Sequence, residues 1–341
     1  MQKDKLQDKM QGKQDKKQDS MQNKAQEKQR KGRLDLTDLK AVLLLAGVCC
    51  FLWGSATPAI KIGYQLFQID PADTASILMF AGARFVLAGF LVIAYHSLTH
   101  RTWIFPPKKA GRAILELALS QTIFQYLFFY VGLSHATGVH GAIITGTNVF
   151  FSILFASLVF RYETLNARKV VGCLLGFAGI VLVNLAGAGS DDLFQVSFLG
   201  EGFVLMAQIF YAISGALVKK YSRDFDVVTL SGYQFMLGGA VLLMVGAAAG
   251  GSLAGAVGIP AFVLLFYMGC LSAVAYTLWG VLLKYNPVSR VTIFGFMNPM
   301  FGVLLSAVFL GESGQALTWN TLAALGLVCM GIYVVNRGKE R

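Results

Sequence analysis

Beyond its first 33 residues, this 341-residue chain is poor in charge. Charged residues make up 14% of the whole, against about 25% in ordinary soluble proteins. Eleven of the 29 Lys/Arg and five of the 18 Asp/Glu fall within residues 1–33. Cysteine is also scarce: Cys49, Cys50, Cys173, Cys270 and Cys329 sit inside apolar runs, with no CxxC and no Cys/His pairing. That excludes a zinc or redox motif and leaves them as small packing residues. The four histidines form no HExxH. His96 and His100 stand four apart, and His135 and His140 flank a turn; without a carboxylate or thiol to complete either set they read as solvated helix ends, and no metal is expected. There is no GxxxxGK[ST], so neither ATP nor another cofactor is implied.

Apolar length is what the chain has in excess. It is 55% hydrophobic, with a mean hydropathy of +0.60, more than a soluble core can hide. About 20 apolar residues cross a bilayer as a helix, and ten such runs follow residue 39: 40–62, 74–96, 112–134, 139–160, 169–188, 197–218, 227–249, 260–284, 289–311 and 319–336. The fold expected is an all-α integral membrane protein with ten transmembrane helices. The gaps are too short for an inserted soluble domain. Residues 1–38 read as a Lys/Gln/Asp-rich tail with too little apolar surface to fold. It is expected to be disordered, cytoplasmic and in contact with anionic lipid.

Loop charge orients the helices. One set of loops carries Arg101, Lys108, Lys109 and Arg112, then Arg161, Arg168 and Lys169, then Lys219, Lys220 and Arg223, then Lys284 and Arg290, then Arg337, Lys339 and Arg341. The other set carries Asp70, Asp73, Asp191, Asp192 and Glu312, with Lys61 as its cation. The basic side is the cytoplasm, so both termini are cytoplasmic in a multi-pass protein of the cell (plasma or inner) membrane. The net charge of +11 belongs to the tail and these loops, and nucleic acid is not an expected partner.

The two halves repeat. "GIVLVN" (179–184) matches "GIYVVN" (331–336), "GARFVLAG" (82–89) matches "GYQFMLGG" (232–239), and "SILFASLVFRYE" (152–163) parallels "GVLLSAVFLGE" (302–312). Each half holds five spans, and five is odd, so the second copy, 197–337, enters the membrane inverted relative to the first, 39–188. Inverted repeats are an architecture of secondary transporters. These blocks, with "FLWGSATPAIKIGY" (51–64), "ARFVLAGFL" (83–91) and "FMNPMFGVLLSAVFLGE" (296–312), resemble the EamA-type branch of the drug/metabolite transporter superfamily. The resemblance implies a ten-helix carrier of small metabolites and favours efflux; the expected assembly is a monomer or homodimer. One departure stands out: Pro299 has Phe150 at the matching place in the first half.

The polar residues inside the spans are the candidate site. Arg84 lies mid-span in "ILMFAGARFVLAGFLVIA", where an arginine costs about 2.5–3.5 kcal/mol to insert. It should therefore face the bundle interior, either as a structural post held by neutral groups or as a recognition group for an anionic substrate. Its counterpart in the second half is Gln234. Trp53 and Ser55 lie beside Gly54 and Pro58 in the first span, with Tyr211 at the repeat position of Trp53. Gln121 and Gln125 are one turn apart in the third span. Asn148 and Asn298 are amides of the fourth and ninth. Interhelical hydrogen bonding is the alternative use for each. Lys61 and Lys219 match across the repeat, and interfacial snorkelling is their plain explanation.

The reading is a secondary transporter of an amino acid or related amphipathic solute working by alternating access. A membrane-embedded enzyme and a non-transporting membrane subunit are the alternatives. The spans have no aspartate pair and no histidine near a GxSxG, so no catalytic residues are assigned. Energy must come from a solute or ion gradient. Glu201 is the one carboxylate suited to coupling, and facilitated transport or exchange needs none.

Overall fold

A computed structural model describes residues 35–136, 138–185, 197–253, 258–310 and 319–337. Nine helices among them are long and apolar enough to span a membrane: α1 (Leu39–Leu66), α2 (Thr74–His100), α3 (Lys108–Leu133), α4 (His140–Val159), α6 (Phe198–Tyr221), α7 (Val227–Ala248), α8 (Ile259–Tyr285), α9 (Val288–Phe309) and α10 (Trp319–Asn336). A further helix of 19 residues, α5 (Ala167–Leu185), occupies the place of the expected fifth span. Among the described residues there is no strand, as a lipid environment requires of a chain that satisfies its backbone polar groups within each segment. The tail to residue 34, Asp191, Asp192, Glu312, Lys339 and Arg341 lie outside the described residues.

Several starts are fixed by side-chain caps. Asp73 accepts from the Ser76 amide at 3.1 Å, Ser197 from the Gly200 amide at 2.9 Å and Asp226 from the Thr229 amide at 2.8 Å. The Ser76 hydroxyl and amide hold the half-buried Asp73 carboxyl below its ordinary pKa. Pro58 lies within the first span without ending it: α1 runs unbroken for 28 residues. Irregularity falls elsewhere, in π-helical turns at Ala118–Phe124 of α3, Phe155–Val159 of α4 and Phe198–Gly202 at the start of α6.

Packing follows the repeat. The most extensive pairings are α2 with α7 and α5 with α10, then α1 with α8 and α9, and α3 and α4 with α6. Replacing each helix by the one five places on turns this set into itself. The glycines show direction as well. A Cβ on Gly82 would lie 2.7 Å from the Gly239 carbonyl, and one on Gly89 would lie 2.5 Å from that of Gly232. A Cβ on Gly172 would meet the Gly331 carbonyl at 2.8 Å, and one on Gly179 would meet that of Ala324 at 2.7 Å. Early residues of one helix therefore touch late residues of its partner, so both pairs are antiparallel. Small residues at these crossings let the backbones touch.

The contacts are also self-consistent. The sequence repeat equates Gly82 with Gly232 and Gly89 with Gly239, and it turns the Gly82–Gly239 contact into the Gly89–Gly232 contact. Such reciprocity is the mark of a two-fold relation. Phe85 and its equivalent Phe235 stack at 5.5 Å beside that axis.

Of the cysteines, Cys49, Cys50 and Cys173 are buried as expected, whereas Cys270 is half-buried and Cys329 exposed.

Candidate functional site

The site grows from the aromatic centre where α1, α2, α3, α7 and α8 meet. Phe85 packs on Tyr126 at 4.6 Å and Phe235 on Tyr276 at 5.4 Å. The two tyrosines share a hydrogen bond between hydroxyls, 2.6 Å long. Tyr276 stands where the repeat puts the counterpart of Tyr126, so one bond joins equivalent residues of the two halves. Trp53 lies edge-on to both Tyr276 and Trp279, at 5.1 and 5.0 Å.

A small cleft lies against this cluster, a cavity of about 10 Å³ with room for roughly one water molecule, lined by Gln121, Tyr211, Ser214, Tyr276, Trp279 and neighbouring apolar residues. It occupies the halves of α6 and α8 that end in Lys219, Lys220 and Lys284. Gln121 and Tyr211 thus line one space, and Trp53 packs on two of its other lining residues, Tyr276 and Trp279. Gln125 is one turn from Gln121 on the same face, and its Oε1 has no hydrogen-bond partner. The Trp53 Nε1 likewise has none.

Arg84 sits beyond the tyrosine pair and is 3% exposed. Its guanidinium lies over the Phe85 ring at 4.6 Å and the Tyr126 ring at 5.4 Å. Cation–π contact compensates part of the desolvation. The Nε of Arg84 is left without a hydrogen-bond partner. Gln234, its repeat counterpart, is fully buried and has both ends occupied. Its Oε1 accepts from Thr122 Oγ1 at 2.9 Å, and its Nε2 donates to Gln121 Oε1 at 2.9 Å. Gln121 and Thr122 are adjacent, yet both reach one amide because they lie in the wide π-helical turn of α3. Such turns recur at functional sites.

Other predicted residues lie apart. Ser55 donates to the Leu52 carbonyl at 2.7 Å and shares a 2.6 Å hydrogen bond with the Tyr267 hydroxyl. Asn148 faces Gly295 across α4 and α9. Asn298, on α9, has an Oδ1 without a partner; neither asparagine is among the residues lining the cleft. Glu201 is at the far end of α6. There it overturns the expectation for His140: His140 is 9% exposed rather than solvated, and its Nδ1 is 2.7 Å from Glu201 Oε1. The Glu201 Oε2 accepts from the Ser197 amide at 2.8 Å. His135 is exposed as expected. Lys219 does not snorkel: its ammonium donates to the Leu283 and Asn286 carbonyls at 2.9 and 2.6 Å.

Tyr276, Trp279 and Thr122 were not legible as site residues from composition. Extending the repeat to "YLFFYVGL" (126–133) and "YTLWGVLL" (276–283) would have found Tyr276.

The model of the EamA-like transporter family matches residues 40–185 and again 198–337. An uncharacterized transporter of Archaeoglobus fulgidus is 26% identical over 284 residues, covering 81% of this chain and 91% of its own. The uncharacterized transporter YvbV of Bacillus subtilis is 27% identical over 304 residues, covering 88% and 93%. The uncharacterized inner membrane transporter YedA of Escherichia coli is 24% identical over 299 residues, covering 84% and 88%. A crystal structure superposes with a TM-score of 0.71 at 16% identity over 87% of this chain and 97% of the other, a likeness of fold.

Proposed function

The chain belongs to the EamA-like transporter family, and from that premise we propose that it carries a small amphipathic solute of the amino-acid kind across the cell membrane. Movement is by alternating access, in the efflux direction, with both termini in the cytoplasm. Two inverted five-helix halves, 39–188 and 197–337, rock about the aromatic centre. The basic loop set supports the orientation, and the antiparallel pairing of α2 with α7 and α5 with α10 supports the inversion.

The carrying observation is the set of buried polar atoms left without partners. Arg84 Nε and Trp53 Nε1 are donors lacking acceptors, and Gln125 Oε1 is an acceptor lacking a donor. Leaving such groups unpaired costs about 1–3 kcal/mol each. A solute with a carboxylate for the donors and an ammonium for the acceptor satisfies both kinds. The rings of Trp53, Tyr211 and Tyr276 would cover its apolar part. Tyr126 and Tyr276 must part for such a solute to pass between the cleft and Arg84.

The His140–Glu201 pair favours a refinement in which the cycle also moves a proton, since a buried acid–base pair is the usual carrier in membrane transporters.

Counterflow in proteoliposomes over amino acids, organic acids and nucleosides tests the substrate class. Arg84→Gln should reduce exchange of carboxylate-bearing solutes at least tenfold, about 1.4 kcal/mol. Undiminished exchange by a folded Arg84→Gln protein would make the arginine a structural post.

A further inference from the structure

Two charges outside the site, the buried carboxylate of Glu163 and the half-buried ammonium of Lys219, grip one elbow of the chain. The elbow is the turn from α8 to α9, through Asn286 and Pro287. From α6, Lys219 Nζ donates to the Leu283 and Asn286 carbonyls at the end of α8, at 2.9 and 2.6 Å. From just beyond α4, Glu163 accepts at the start of α9, from the Ser289 amide and hydroxyl, both at 3.0 Å. Lys169, 3.6 Å away, supports the Glu163 carboxylate. A cation thus meets the negative end of α8 and an anion the positive end of α9, each favourable to the helix dipole it faces.

The two grips cross between structural groups. α1, α8 and α9 pack as one set, and α3, α4 and α6 as its repeat counterpart. Lys219 and Glu163 belong to the second set and the elbow to the first, at the basic end of both. Three of the four hydrogen bonds end on backbone atoms of the elbow, and Ser289 is the one elbow side chain among them.

We propose that Lys219 and Glu163 form a clamp that holds the basic end shut and that its release is a required step of transport. The sequence repeat pairs these residues with others in the opposite half. Lys61 matches Lys219, Glu312 matches Glu163, and the elbow between α3 and α4 matches that between α8 and α9. The inference rests on the alternating-access reading for its meaning in transport, but the clamp itself is open to direct measurement.

The test uses full-length protein carrying Cys270→Ser and Cys329→Ser. Spin labels at Arg223→Cys and Tyr285→Cys report the basic end, and labels at Gln68→Cys and His135→Cys report the other end. Lys219→Met and Glu163→Gln should each shift the 223–285 distance distribution to longer values and leave the 68–135 distances without lengthening. Lys219→Arg, which keeps a cationic donor, should restore the short distance. An unchanged 223–285 distance in both variants overturns the clamp, and so does equal lengthening at both ends. Counterflow is read separately: a protein that exchanges no solute at all defeats the transport reading, while the distances still decide the clamp.

Discussion

Arg84 and Gln234 occupy equivalent places in the two halves and live in opposite conditions. Both are buried beside equivalent phenylalanines. Gln234 is hydrogen-bonded at both ends of its amide and ties α7 to α3. Arg84 rests on two rings and keeps an unpartnered Nε. The repeat preserves glycine crossings, stacked rings and the tyrosine bond, and it departs from symmetry at this polar pair. On the transport reading proposed above, unlike residues at equivalent places of a repeated scaffold separate the demands of movement from those of recognition. Movement needs two alike halves, whereas a bound solute has two unlike ends.

The sharpest way to break this contrast is to make the second half like the first. Gln234→Arg puts a second cation where Thr122 and Gln121 offer no negative charge, at an insertion cost of about 2.5–3.5 kcal/mol. A marked fall in the amount of folded protein and in its unfolding temperature in detergent is the expected result. A variant as stable as the parent would mean that the two environments do not differ as described. A smaller change removes the tie without adding charge. Gln234→Leu deletes two interhelical hydrogen bonds, and such bonds average about 0.6 kcal/mol in membrane proteins. The loss should therefore be about 1 kcal/mol in an equilibrium unfolding measurement, with exchange activity retained.

How far these differences were legible follows from the physics of each signal. Spans and loop charge are properties of long windows, and the lipid environment enforces them strongly, so the helices fall close to the apolar runs. The inversion followed from an odd number of spans per repeat. Arg84 was visible because a charge in an apolar run has few explanations. The saturation of Gln234 was not visible, because it depends on a π-helical turn in α3 that no local pattern announces. The burial of His140 escaped for a similar reason: its partner, Glu201, is 61 residues away. Lys219 was misjudged because snorkelling to lipid and gripping a helix end require the same residue at the same interface.

The finest probe of the comparison is Trp53→Phe. The two edge-on contacts of Trp53, with Tyr276 and Trp279, need an aromatic ring, which phenylalanine keeps in smaller form. What disappears is an N–H that has no partner within the protein. The smaller ring leaves part of the Trp53 site unfilled, so stability should fall by about 0.5–1.5 kcal/mol, the cost of a small core truncation. If that donor serves the solute, losing one hydrogen bond worth about 0.5–1.5 kcal/mol should raise the half-saturating concentration roughly two- to tenfold. Exchange of a solute lacking the carboxylate should change less. Equal weakening for both solutes would assign Trp53 to shape alone, and the recognition of the anionic end would then fall to Arg84, the residue that its symmetric counterpart most clearly fails to match.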